Sequence, residues 1–187
     1  SNRQMITHWT RKSFERVFDQ TESDLDMKLV YDVAHNIAKV EKHNVDGEER
    51  KLVVHRKGAT RAFPSNRSEI PSKYRDLGQP VLVPGSMGTS SWILLGKSNS
   101  MDLSFGSTAH GAGRTMSRSK ARRNFTEDNV KKSLNDKGIF IKALTRDGVV
   151  EETPEAYKDV DSVVNVSHNL GIATKVAKLV PIGVIKG

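Results

Sequence analysis

Residues 78–96 read GQPVLVPGSMGTSSWILLG. Two short apolar segments, residues 81–83 and 91–95, flank a loop rich in glycine and hydroxyl side chains. Apolar runs bounded by such turn residues are typical of β-strands. Glycine- and serine-rich loops between strands are also where functional groups usually lie. The stretch therefore predicts two strands with a glycine-rich loop between them, which is either a functional loop or a structural turn.

The segments before this stretch indicate an α+β fold with largely antiparallel strands and a few flanking helices. Apolar spacing predicts a helix over residues 3–18. The run LVYDVAHN, residues 29–36, is rich in β-formers and predicts a strand. A hairpin turning at Asp46-Gly47 is predicted to follow it, and residues 58–80, with their Gly and Pro, are predicted to be mostly loop.

The segments after the stretch add helices and further strands. Thr126 is predicted to cap a helix that ends near Lys137, where Gly138 stops it. The remaining predicted elements are a strand over residues 139–144, a helix over 160–170 and a final strand over 176–185.

Composition and charge limit the classes of protein to be considered. The chain has 187 residues, 36% of them hydrophobic, which suits one soluble core. Its apolar runs are too short to span a bilayer, and its first 15 residues lack the apolar stretch of a secretory signal, so we expect a cytoplasmic protein without a membrane partner. The absence of cysteine excludes disulfides and thiolate metal sites within the chain. A net charge of +8 suggests a polyanionic partner, although many proteins are basic for solubility alone.

The most unusual histidine lies in residues 105–114, FGSTAHGAGR. Gly111 and Gly113 follow His110 closely and would allow a large ligand to approach the ring. An imidazole in such a place can serve as an acid, a base, a metal ligand or a nucleophile. The alternative is a tight turn that happens to contain histidine.

Two more loops could contribute to the same site. Residues 79–91 resemble a phosphate-binding nest, although a structural turn explains them as well. Residues 53–63, VVHRKGATRAF, carry Arg56, Lys57 and Arg61 without an acid and suit phosphate contacts, with a basic hairpin end as the alternative.

The segment after the glycines is strongly basic. On a helix, Arg114, Arg118 and Arg122 would form one stripe, with no acid in the segment to relieve its repulsion. A bound anion would relieve it, and a solvated basic face is the alternative. Of the other histidines, His43 and His168 are expected to be exposed.

Six motifs together resemble the RtcB family of RNA-splicing ligases. They are DVAHN, HRKGATRAFP, GQPVLVPGSMGTSSW, HGAGRTMSR, ETPEAYK and PIGVIKG, and they occur in the family's order from the first residues to the last. The resemblance is to the family's C-terminal portion. It implies that residues 1–187 form the C-terminal part of a larger RtcB-like catalytic domain, whose N-terminal part would be supplied in cis or in trans.

The resemblance implies a GTP- and Mn²⁺-dependent ligase that joins an RNA 3′-phosphate or 2′,3′-cyclic phosphate to a 5′-hydroxyl end, with tRNA halves as the expected RNA. His110 would attack the α-phosphate of GTP and form a histidine–GMP intermediate, and His35 would bind manganese. The residues implied at the nucleotide are Asn36, Pro84, Gly85, Ser86, Met87, Ser91, Gly111, Ala112, Gly113, Tyr157 and Lys186. On charge and resemblance together, the residues expected at RNA phosphates are Arg56, Lys57, Arg61, Arg114 and Arg118.

Two departures from the family pattern matter. Ala109 stands before HGAGR where many members have a polar residue, which is expected to be tolerated. The family's other metal ligands, an Asp, a Cys and two further His, belong to the N-terminal region, so the chain is expected to be inactive alone. A non-catalytic RNA-binding remnant and a basic structural domain without nucleotide remain alternatives.

Overall fold

The computed structural model describes residues 2–186. The chain divides into two compact units, which meet in sequence between Asp32 and Val33. The first unit contains one helix, α1 (Asn2–Phe18). That helix was predicted, but its apolar side chains are exposed: Trp9 is 60% and Val17 73% accessible.

The second unit contains all strands of the described chain and the remaining helices. Its elements, in order, are β1 (Asn36–Val45), β2 (Glu48–Lys57), β3 (Ala59–Arg61), a 3₁₀ turn (Ser72–Tyr74), β4 (Pro80–Val83), β5 (Ser91–Gly96), α2 (Asn99–Ser104), β6 (Ser107–Ala109), α3 (Arg118–Asn124), α4 (Glu127–Asn135), β7 (Phe140–Ala143), α5 (Arg146–Glu151), a 3₁₀ turn (Pro154–Ala156), α6 (Val160–Asn169), β8 (Ala173–Leu179) and β9 (Gly183–Lys186).

Most strand pairs are antiparallel, which confirms the α+β prediction. β1 pairs with β2, β3 with β6, and β4–β5–β8 form a three-stranded sheet. The pair β7–β9 is parallel, with Phe140 opposite Gly183 and Ala143 opposite Lys186. The two strands predicted over residues 81–83 and 91–95 are present as β4 and β5, and they pair with each other.

Local signals in the sequence were accurate where side chains act on their own backbone. The hairpin turns at Asp46 and Gly47, both with positive φ, as a two-residue hairpin turn requires. The Thr126 hydroxyl accepts from the Asn129 amide and caps α4, and Gly138 adopts a positive φ beyond its end.

Two predictions were wrong in detail. Residues 29–35 form no strand, and β1 begins only at Asn36. The single strand predicted over residues 176–185 is two strands, β8 and β9, separated by a bend at residues 180–182. The short helices α2 and α5 were not predicted.

Two apolar clusters hold the second unit together, and the loop over residues 84–91 lies between them. Val81 and Val83 of β4 pack with Leu94 and with Val160 and Val164 of α6. The second cluster consists of Met87, Val130, Leu134, Ile139 and Val149. The loop is therefore anchored at one end by β4 and at its centre by Met87. No helix that the structure describes combines the length and the apolar character needed to cross a bilayer.

Candidate active site

His35 and His110, the predicted metal ligand and nucleophile, lie against each other. Their ring centroids are 4.5 Å apart and the planes meet at 80°. The short pair β3–β6 brings them together, because Thr60 of β3 donates its hydroxyl to the carbonyl of Ala34, 2.9 Å away. β3 also pairs with β6, which ends at residue 109, directly before His110. Residues 75 positions apart in sequence thus share one site.

The setting of His110 favours a neutral ring. Burial lowers its pKa below the ordinary value, and the proximity of His35 adds to the effect. Its Nδ1 atom is buried and has no hydrogen-bond partner among residues 2–186. A neutral imidazole keeps a lone pair for attack or ligation. The ring is therefore chemically available at neutral pH.

The described residues do not form a manganese site by themselves. Among residues 2–186, no three His, Asp or Glu side chains converge to hold a metal ion. The two imidazoles of His35 and His110 are neighbours, but a stable transition-metal site needs more ligands than these two rings. A metal at His35 would need ligands from outside the described residues.

The glycine loop after His110 lies against the loop that follows β4. The Ala112 amide donates to the Pro84 carbonyl across 2.9 Å. A side chain at Gly111 would come within 3.3 Å of the same oxygen, so close approach of the two loops favours glycine there. Ala112 is only 4% exposed and packs in the first apolar cluster, so it can offer a ligand its backbone alone.

The loop over residues 84–91 is closed by its own hydroxyl groups. The Ser86 amide donates to Thr89 Oγ1 at 2.7 Å, and the Gly88 amide donates to Ser86 Oγ at 3.3 Å. The two amides that a phosphate-binding nest would present are therefore already satisfied. In this structure the loop is a compact turn, and a phosphate would have to displace these hydroxyls.

A pocket of about 480 Å³ opens beside this loop, a size suited to a nucleotide or part of one. It is lined on one side by the loop, on another by β9 and the segment before it, and on a third by the residues after α5. Of the residues predicted at the nucleotide, those that line it are Gly85, Ser86, Met87, Ser91, Tyr157 and Lys186. The other residues predicted at the nucleotide do not line this pocket. Asn36 follows His35 and Pro84 follows β4. The remaining three, Gly111, Ala112 and Gly113, belong to the loop after His110.

Sequence reasoning missed Glu152, which lies at the wall of the pocket. Tyr157 donates its hydroxyl to this carboxylate, and Lys186 Nζ lies 3.8 Å from it. Arg114 and Arg118 approach its other oxygen at 3.4 and 3.5 Å. Burial acts to raise the pKa of Glu152, but the Tyr157 hydrogen bond and the three cations outweigh it and hold that pKa below its ordinary value. The available signal was its place at the start of ETPEAYK.

Arg56 does not fit the predicted RNA surface. Its side chain is 1% exposed and makes two hydrogen bonds of 2.8 Å to the buried carboxylate of Glu41. It also donates to Ser107 Oγ and to the Phe105 carbonyl, just before β6. The guanidinium is fully occupied within the protein and faces no solvent. His43, expected to be exposed, is also buried, at 2% accessibility, beside Glu41.

The other residues predicted to bind RNA phosphates differ in their exposure to solvent and in their contacts within the protein. Lys57 is exposed at the end of β2. Arg61 donates to the Gln79 side chain and contacts the ring of Phe63. Arg118 is 63% exposed, yet it pairs with both Glu151 and Glu152.

The predicted basic stripe was wrong in two respects. Arg114 precedes α3 and sits in a bridge with Tyr157, so it is not on the same helix as Arg118. Arg122 pairs with Glu151, and Arg114 donates to the Glu151 carbonyl and approaches Glu152. The repulsion inferred from the sequence is thus relieved by the protein's own acids.

Known proteins resemble this chain over its whole length. A family profile described as tRNA-splicing ligase RtcB matches residues 1–187. The chain is 58% identical over 187 residues to the tRNA-splicing ligase RtcB of Aeropyrum pernix and 56% identical over 187 residues to that of Thermococcus kodakarensis, in each case covering all of this chain and 39% of the relative. The chain belongs to the RtcB family. It spans about two fifths of the length of these two relatives.

Two pocket glycines of this RtcB-family chain offer a matched test of the loop geometry. A Cβ at Gly85 would overlap the Ser90 carbonyl oxygen and crowd Thr89, whereas a Cβ at Gly183 would meet its nearest atom, the Phe140 carbonyl oxygen, at 3.7 Å. Gly85→Ala is therefore expected to distort the loop at a cost of about 1–3 kcal/mol. For the nucleotide proposed below as the ligand of this pocket, we expect Gly85→Ala to weaken binding roughly tenfold or more by calorimetry.

Gly183→Ala is the control for this substitution, because it adds the same methyl group to the same pocket. It is expected to leave the affinity for the proposed nucleotide unchanged. Equal affinities for the two variants would show that the tight turn is not needed for binding.

Proposed function

We propose that the chain is the part of a GTP-dependent RNA ligase that carries the nucleophile and half of the nucleotide site. The observation that carries this proposal is the pairing of His110 with His35, next to the loop that lines the pocket. Family membership supports the same assignment. GTP would lie with its base toward Lys186 and Tyr157 and its α-phosphate toward His110.

The proposed reaction begins at His110. The lone pair of one imidazole nitrogen attacks the α-phosphorus of GTP, the bond to the bridging oxygen breaks, and pyrophosphate leaves. The RNA 3′-phosphate then attacks the same phosphorus, so that the P–N bond breaks and the RNA end carries GMP. Finally the 5′-hydroxyl of the second RNA attacks the activated 3′-phosphate and releases GMP. A lowered pKa at His110 suits the first step, because attack needs the neutral ring.

Manganese is part of the proposal, with His35 as one ligand. When bound, the metal would neutralise charge on the phosphates, which is what phosphoryl transfer chiefly requires. The other ligands would come from the N-terminal part that family members have. For the same reason, we expect residues 1–187 to need that part, in cis or in trans, for ligation.

The proposed RNA surface is narrower than the sequence suggested. Lys57 and Arg118 are exposed, and Arg61 and Arg114 are partly accessible. Arg56 is not included, because it is buried. RNA with a 3′-phosphate and a 5′-hydroxyl, such as tRNA halves, remains the proposed partner, and the net charge of +8 favours it.

The second candidate is a non-catalytic RNA-binding remnant. The observation that favours it is the lack of a three-ligand metal cluster among residues 2–186. The two candidates differ in one measurable respect, which is covalent capture of GMP.

The test is intact-mass measurement after incubation with GTP and Mn²⁺. The chain is measured alone and with the preceding segment of the Thermococcus kodakarensis relative supplied in trans. A gain of one GMP that requires GTP rather than ATP, and that is lost with chelator, supports the ligase. Absence of the adduct in every combination would contradict it and favour the RNA-binding remnant.

A further inference from the structure

Glu152 occupies a place that the proposed chemistry leaves without a role. It follows α5 and lines the pocket. It contacts both pocket residues and arginines of the segment after His110. One carboxylate oxygen takes the Tyr157 hydroxyl and faces Lys186, and the other faces Arg114 and Arg118. A single acid thus joins the pocket to the basic segment after His110.

Lys186 needs such a partner in order to hold one position. It stands on β9, a four-residue strand that pairs with β7, and its side chain is 31% exposed. A lysine is a point charge on a flexible four-carbon stem, and fixing it costs side-chain entropy. Within residues 2–186, Glu152 is the acid that lies within ion-pair distance of its ammonium group, at 3.8 Å.

Glu152 is itself held in position by Arg114. Arg114 donates to the Met116 carbonyl at 3.0 Å and to the Glu151 carbonyl at 2.7 Å, so its guanidinium is fixed by the backbone. The same group lies 5.0 Å from the centroid of the Tyr157 ring and donates to the Tyr157 hydroxyl at 3.2 Å. Backbone carbonyls thus fix Arg114, and Arg114 contacts Glu152. Glu152 in turn contacts the pocket residues Tyr157 and Lys186.

Charge explains why an acid is required there. Lys186, Arg114 and Arg118 all lie within 4 Å of the Glu152 carboxylate. Without it, three cations would repel one another, and the phosphates of a nucleotide would draw the mobile lysine away from the base. The negative charge of Glu152 offsets this repulsion and attracts all three cations to one carboxylate.

We infer that Glu152 is the positioning residue that fixes Lys186 and Tyr157 for contact with the base of the nucleotide. The inference rests on the proposed function, because it assigns Glu152 to the same site. Glu152 acts through Lys186 and Tyr157 and takes no part in bond making or breaking.

The test compares two adjacent glutamates in the chain supplied with the N-terminal part. Glu152→Gln keeps the shape and the hydrogen bond from Tyr157 but removes the charge that holds Lys186. It is expected to raise the GTP concentration at half-maximal GMP transfer roughly tenfold, with the rate at saturating GTP changed less than about twofold. Glu151→Gln changes a side chain that pairs with Arg118 and Arg122 outside the pocket lining, and is expected to leave both quantities unchanged.

A double variant shows whether the effect passes through Lys186. If Glu152 acts by holding the lysine, Glu152→Gln adds little to Lys186→Ala, and the two effects on apparent GTP affinity are not additive. Additive effects, or equal effects of Glu151→Gln and Glu152→Gln, would overturn the inference while leaving the ligase proposal intact. Failure of the unmodified chain to take up GMP would overturn both.

Discussion

Replacement of His110 with alanine is expected to abolish GMP transfer to the chain, with a loss of more than about a thousandfold in the rate of adduct formation. The proposed intermediate is covalent, so losing the nucleophile cannot be compensated by the rest of the site. Among the described residues, no second histidine lies both against His35 and beside the glycine loop. The measurement is intact mass after incubation with GTP and Mn²⁺ in the presence of the N-terminal part. Peptide mapping of the adduct would locate the modified residue.

The control for His110 is His168, an exposed histidine on α6. His168→Ala is expected to retain the full adduct, which excludes a general effect of losing an imidazole. Both variants should keep the thermal unfolding midpoint within a few degrees, because neither ring fills a core cluster. A persistent adduct in His110→Ala would place the nucleophile elsewhere and remove the central assignment of the proposal.

Replacement of Arg56 with alanine is expected to lower the free energy of unfolding by about 3–5 kcal/mol, the usual cost of breaking a buried ion pair from one side. The substitution leaves the Glu41 carboxylate buried with His43 as its remaining partner. It also removes the donors to Ser107 and to the Phe105 carbonyl. Chemical denaturation would measure the loss, with Lys42→Ala, which removes the exposed pair with Glu49, as the control of small effect.

A compensating variant separates the two causes of that loss. Arg56→Met combined with Glu41→Leu removes both charges and keeps apolar volume, so it is expected to recover a large part of the stability. A second readout is GMP transfer, because Arg56 contacts Phe105 and Ser107 at the start of the strand that precedes His110. If Arg56→Ala were as stable as Lys42→Ala, the burial of this pair would not contribute to the fold.

The sequence predicted well those features that depend on neighbours along the chain. The Asp46-Gly47 turn was predictable because both residues tolerate a positive φ. The Thr126 cap was predictable because a threonine hydroxyl can accept from the backbone amides of the first helical turn. The strand expected over residues 29–36 is absent up to residue 35, because β-propensity reflects packing against neighbouring segments that the local sequence does not specify. The parallel pairing of β7 with β9 likewise joins segments that no local pattern connects.

The site shows the same division. Motif resemblance singled out His35 and His110, which the structure places together. It also singled out six of the fifteen residues that line the pocket. It could not show that Arg56 is buried, because the acid that binds it, Glu41, lies on the other strand of the hairpin. Nor could it show that Glu151 and Glu152 neutralise arginines about 30 to 40 positions earlier in the chain.

The parallel pair β7–β9 also determines when the pocket can exist. Lys186 reaches the pocket from a strand whose partner, residues 140–143, precedes it by about 43 positions. Contacts of such separation form slowly, because closing the intervening chain costs entropy before the strand pairing offsets it. On a ribosome, this wall of the pocket cannot form until residue 186 has been synthesised and has left the exit tunnel. We therefore expect a nascent chain to acquire this pocket only after that residue has emerged, well after the loop that carries His110.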